Sequence, residues 1–212
     1  MATTTLFSAE PLDTVKTTLA QQDLAKWQAD RECWEETLPI MSWLSQFLVL
    51  APVASEHGDF ASTDGRYLYF CPAYSATLSD EARVFLQAHL IWHCVAGHLA
   101  APLVTCPHRW HLACDHEVNS LLLALGIRLP YQALVFPVCF GLSATRVYRW
   151  LAGHPCPGEE KTLDVHPAAM GARGDASVPD IGLAALWRRR AHVAARNAPA
   201  LPPMVAEFCA AR

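Results

Sequence analysis

The sequence predicts a mainly α (α+β) domain, in which a small β element stands just ahead of a helix that carries histidines. Three observations predict it. Apolar residues recur at helical spacing through most of the chain. One short aromatic run, bounded by Gly65 and Pro72, reads as a strand. Apolar residues make up 52% of the 212 positions and charged residues only 17%, which excludes a disordered chain and suffices for a sizeable core.

Leu12, Val15, Leu19, Leu24 and Trp27 set up a first helical pattern, and Trp34, Leu38, Met41, Leu44, Phe47 and Leu48 repeat it before Pro52. Small and polar residues make 55–64 a loop, and Arg66–Cys71 follows as the strand. Ser79 is an N-cap with Asp80 and Glu81 in the first turn, opening a long buried helix from Ala82 to about Ala100. Pro102 and Pro107 bound a loop. A second helix, Trp110–Leu125, is closed by Gly126 and Pro130. A third starts after Leu142 or Ser143 and runs through Val147, Tyr148, Trp150 and Leu151 to Gly153. Residues 153–180 are irregular, and a last helix covers Ile181–Arg196.

The formal net charge is −4, acidic over the first sixty residues and basic after 130. Arg188-Arg189-Arg190 is the one basic run, too short for a nucleic-acid footprint, so no nucleic-acid partner is expected. The apolar stretch 38–54 is broken by Ser42, Ser45, Gln46 and Pro52. The other, 84–104, contains His89, His93 and His98, which are costly in lipid. No membrane span is expected from either. The N-terminus shows no export-signal pattern, so the eight cysteines are expected to be reduced core thiols in a cytoplasmic protein, with a metal role open for some.

The chemistry concentrates in two segments. His89 and His93 lie four apart on a helix, about 40° apart on one face, a spacing that lets two imidazoles share one metal ion. Two core histidines bonded to backbone carbonyls are the alternative. In Trp110–Asn119, His111, Asp115 and Asn119 form a polar stripe on an otherwise apolar helix. Such a stripe must find partners, and a metal shared with the first helix would supply them. Cys106, His108, Cys114 and His116 match no closed zinc motif, because Cys114 and His116 point to different faces of the helix.

These segments resemble the metallopeptidase domain that precedes a von Willebrand A-like domain in many bacterial proteins. Thr63-Asp64-Gly65-Arg66, Pro72 and Leu78-Ser79 look like that family's approach to its active helix. His89, His93 and His98 fall on its HExxHxxxxH. Trp110, Asp115 and Asn119 fall on its W-N-x-A-x-D-x-x-x-N, and Gly126 with Leu129-Pro130 closes the helix as there. Tyr148 and Asp164-Val165-His166 are weaker echoes. The resemblance covers about residues 35–205, leaving an N-terminal helical segment, 1–34, and a C-terminal tail, 206–212. It implies a zincin-like fold and a divalent ion, zinc first, with iron or copper as alternatives. A MoxR-type AAA+ ATPase or a von Willebrand A protein is the partner it implies.

One departure stands out. The glutamate that follows the first histidine in the family, a zincin's general base, is Leu90 here, and leucine accepts no proton. His111 replaces the family's asparagine. Asp115, Glu117 and His166 are the candidates for a substitute base, although Glu117 lies about 200° around the helix from Asp115. His98 comes nine residues after His89, about 180° away on an unbroken helix. The ligand set is therefore His89 and His93 with Asp115, then His111, then His98 in order of preference. Three functions remain open: a metal protein that has lost ordinary peptide hydrolysis and runs other metal-dependent chemistry, an active metallopeptidase with a displaced base, or a non-catalytic interaction module.

Overall fold

The computed structural model describes residues 12–53, 61–100, 104–154, 181–198 and 200–211. They form eight helices and a small sheet. In chain order these are α1 (Leu12–Thr37), α2 (Pro39–Ser45), β1 (Val49–Pro52), β2 (Ala61–Thr63), β3 (Tyr67–Phe70) and α3 (Pro72–Ser75). Then come α4 (Asp80–Ala96), α5 (Pro107–Ala124), α6 (Ala144–Gly153), α7 (Ile181–Asn197) and α8 (Pro203–Ala210). A 3-10 turn at Pro137–Cys139 precedes α6. The mainly helical α+β class expected from the sequence is the class observed.

Helix α4 is the centre of the fold. Ser79 Oγ accepts from the Ala82 N–H at 3.2 Å and caps it, as the sequence predicts. Every residue from Phe85 to Ala96 is buried, as expected of a helix that is packed on all sides. Its neighbours are α1, α2, α5, α7 and β2. It ends at Ala96 rather than near Ala100, because Gly97 turns left-handed with φ 76°.

The sheet has the order β1-β3-β2, with β1 parallel and β2 antiparallel to β3. Strand β3 is the aromatic run the sequence singles out, but its two neighbours were not expected. Val49–Pro52 reads as the end of a helix, yet pairs with Tyr67–Phe70. A short apolar run carries no period that separates the two states. Pro52 is tolerated because β1 is an edge strand. Ala61–Thr63, placed in a loop by its small residues, is buried and paired with Leu68–Phe70.

The turn between β2 and β3 is where Thr63-Asp64-Gly65-Arg66 acts. Asp64 Oδ1 accepts from the N–H groups of Arg66 and Tyr67 at 2.8 and 2.7 Å. Thr63 Oγ1 accepts from Gly65 N–H and donates to Tyr67 O. Gly65 has φ 84°, and its carbonyl accepts from Trp187 Nε1–H of α7 at 2.8 Å. A Cβ there would lie 2.8 Å from both Leu183 Cδ2 and Leu99 Cδ1. Gly65→Ala therefore combines left-handed strain with overpacking, and urea denaturation should show a loss of about 2–4 kcal/mol.

The N-terminal helix is part of the same body. Trp27 is fully buried, stacks on Phe70 with ring centroids 4.6 Å apart, and donates from Nε1 to Ser75 Oγ at 2.9 Å. Asp30 takes both Nε and Nη2 of Arg83, on α4, at 2.7 and 2.9 Å. At the other end of the chain, α8 places Val205 and Cys209 in the main core. No disulfide joins the described cysteines, and Cys71, Cys94, Cys114, Cys139 and Cys209 are buried. Burial pushes the Cys94 thiol up to about 12. No described helix is long and apolar enough to cross a membrane.

Candidate metal centre

Helices α4 and α5 bring their polar residues face to face inside the core. The pairing runs in opposite directions along the two helices: His89 meets Asn119, and His93 meets Asp115. The i, i+4 spacing on each helix is what makes the two stripes coincide.

Imidazole nitrogens from three histidines converge on one carboxylate oxygen. Asp115 Oδ1 lies 3.4 Å from His93 Nε2, 3.8 Å from His89 Nε2 and 3.4 Å from His111 Nε2. The Nε2 atoms of His89 and His93 are 2.9 Å apart. These imidazole–carboxylate separations exceed the roughly 2.7–2.9 Å of a charge-assisted hydrogen bond. They resemble instead the edges of a coordination polyhedron. Zinc bonds of about 2.0–2.1 Å in a tetrahedron give ligand–ligand edges of about 3.3–3.4 Å. For His89, His93 and Asp115 the observed edges of 2.9, 3.4 and 3.8 Å straddle that length. Among the described residues this trio is the one group of His, Cys, Asp or Glu clustered closely enough for a shared ion. The donor set, borderline imidazoles with a hard carboxylate, suits zinc, iron or copper.

Neighbouring residues hold the cluster in place. Asn119 Nδ2–H donates to Leu134 O at 2.9 Å, which turns Asn119 Oδ1 toward His89 Nδ1 at 3.0 Å. His111 is the most exposed of the group, at 12% of its side chain against 2% for each of His89 and His93 and 5% for Asp115. The cluster is thus least buried on the His111 side.

The remaining candidates lie elsewhere. His98 Nδ1 meets His93 Nδ1 at 2.9 Å, on the ring edge remote from Asp115, and His98 Nε2 meets Glu117 Oε2 at 3.0 Å. Glu117 is thus two residues from Asp115 yet turned away from it, as the helix angle requires. His116 accepts from Phe136 N–H at Nδ1 and donates from Nε2 to Cys139 O, pinning the segment before α6. Burial holds its pKa below the ordinary value. His166 lies outside the described residues. The His98–Glu117 pair was not anticipated from the sequence. Its signal was that Glu117 falls off the His111–Asp115–Asn119 face of its helix, and a buried polar group so placed must find a partner.

The sequence profile of a family described as a putative metallopeptidase domain matches residues 35–177. The chain belongs to that family. The match begins inside α1 and takes in the sheet, α4, α5 and α6, so both helices that carry the cluster lie in the matched region. No curated protein and no solved structure matches the chain. Within this family member, position 90 is a buried leucine of the main apolar cluster.

Proposed function

We propose that this chain is a zincin-like metal protein that holds one divalent ion, zinc first, on His89, His93 and Asp115, with His111 at the open side. The observation that carries the reading is the convergence of imidazole nitrogens on Asp115 Oδ1 inside the core. Two histidines satisfied by backbone carbonyls would not face a carboxylate and each other in this way.

A bound divalent ion supplies Lewis-acid polarisation of an oxygen on its open side. The chain's own groups do the rest. Asp115 brings the negative charge, Asn119 aims His89, and the buried surroundings keep water from competing for the nitrogens. Leu90 stands where the family pattern has its proton acceptor, and its side chain holds no acceptor atom. Ordinary peptide hydrolysis is therefore lost in this reading, and the histidine-rich donor set serves other metal-dependent chemistry.

Elemental analysis of protein purified without added metal tests the proposal. The expected result is close to one ion per wild-type chain and none retained by His89→Ala of matching circular dichroism. Equal metal content in the two would refute the site, as would a wild-type chain whose thermal stability ignores zinc, iron and copper.

A further inference from the structure

We infer that Glu117 and His98 are positioning residues for His93: a hydrogen-bonded chain Glu117–His98–His93 that holds the His93 ring by its Nδ1 and aims its Nε2 at Asp115. The inference rests on the metal reading above and adds how the second ligand is made ready.

The local backbone builds the chain. Gly97 N–H donates to Cys94 O at 3.1 Å, and His98 N–H donates to His93 O at 3.0 Å. With Gly97 at φ 76°, this is a Schellman turn, which folds the residue after the glycine back over the residue five positions earlier. That contact is ordinarily apolar. Here it joins two imidazoles, His98 and His93, at 2.9 Å through their Nδ1 atoms. No heavy atom lies within 4 Å of a Cβ built on Gly97, so the glycine is required by its φ and not by crowding.

The chemistry of each group sets the direction of the chain. Asn119 Oδ1 accepts, so His89 Nδ1 carries a hydrogen and His89 Nε2 faces Asp115. An imidazole that gives Nε2 to an ion keeps its hydrogen at Nδ1, so with an ion bound His93 would donate from Nδ1 to His98 Nδ1, 2.9 Å away. His98 would then donate from Nε2 to Glu117 Oε2 at 3.0 Å. Two separate hydrogen-bond chains therefore hold the two rings by their Nδ1 edges and turn the two Nε2 atoms, 2.9 Å apart, toward Asp115 Oδ1.

The far end of the chain is anchored. Glu117 Oε2 also accepts from Ala144 N–H at 3.0 Å, at the first turn of α6, where the helix dipole favours an anion. Both side chains are more than nine-tenths buried, at 4% exposure for His98 and 6% for Glu117. The ring of Trp110 stands edge-on to His98, with centroids 6.4 Å apart. His98 is thus held by its ring neighbours and both its nitrogens.

Nitrogen-15 NMR of the histidine rings in the zinc-loaded wild-type chain reads the tautomers directly. The expected spectrum shows His93 and His89 protonated at Nδ1, and His98 at Nε2. Zinc affinity is then measured by competition with a chromophoric chelator. Outer partners of this kind typically change metal affinity by about 10–100-fold, so His98→Phe should weaken zinc binding by that factor. Glu117→Gln, whose carbonyl still accepts from His98, should weaken it less. His93→Ala should abolish it. A wild-type His93 protonated at Nε2 would overturn the inference. So would His98→Phe binding zinc as tightly as wild type while His93→Ala loses it, an outcome that leaves the metal site standing. Zinc bound by His93→Ala as by wild type would overturn the site reading and this inference together.

Discussion

Leu90→Glu is expected to make the fold depend on metal. Leu90 is 1% exposed and packed in the main apolar cluster, one residue after His89 and about 100° around the helix from it. A carboxylate buried there without a partner costs roughly 3 kcal/mol or more. If the position borders the ion, as the family pattern implies, zinc offsets much of that loss, and thermal melts with and without zinc diverge far more for the variant than for wild type. The variant also regains a proton acceptor, and a well-placed general base is worth roughly 10²–10⁴-fold in rate. Weak, chelator-sensitive cleavage of an unstructured peptide should therefore appear. A variant equally unstable with and without zinc would put Leu90 away from the ion.

Asp30→Ala is expected to cost about 3–5 kcal/mol in urea denaturation, the usual penalty for removing one partner of a buried ion pair. Arg83 is buried on α4, and losing Asp30 leaves its guanidinium with the exposed carboxylate of Asp80, 2.9 Å from Nη1. The double change Asp30→Leu with Arg83→Met removes both charges and should recover most of the loss. This matters for the site because the pair ties α1 to the helix that carries His89 and His93. A loss under about 1 kcal/mol for Asp30→Ala would mean that α1 contributes little to holding α4 in place.

Much of this arrangement is legible in the residues. Ser79 and Gly126 mark helix ends through capping and left-handed backbone, both local properties of the chain, whereas the sequence reading carries α4 past Gly97, where it ends. The stripes His89–His93 and His111–Asp115–Asn119 are legible for the same reason, since four-residue spacing fixes a helix face. Strands β1 and β2 were not, because pairing depends on a distant partner, and neither Val49–Pro52 nor Ala61–Thr63 carries a two-residue period. His98 shows the limit most clearly. Its angle on an ideal helix places it opposite His89, but the turn at Gly97 folds it back onto His93. A one-residue change of backbone hand brought it from the far side of the helix to the Nδ1 edge of His93. Glu117 was illegible until His98 was placed, because its partner lies across that turn.

X-ray absorption at the metal edge of the metal-loaded chain tests the central claim most directly. The account predicts a first shell of nitrogen and oxygen only, at about 2.0–2.1 Å for zinc, with the outer-shell scattering of two or three imidazoles. Sulfur scatterers at about 2.3 Å, or a shell without imidazole scattering, would contradict it.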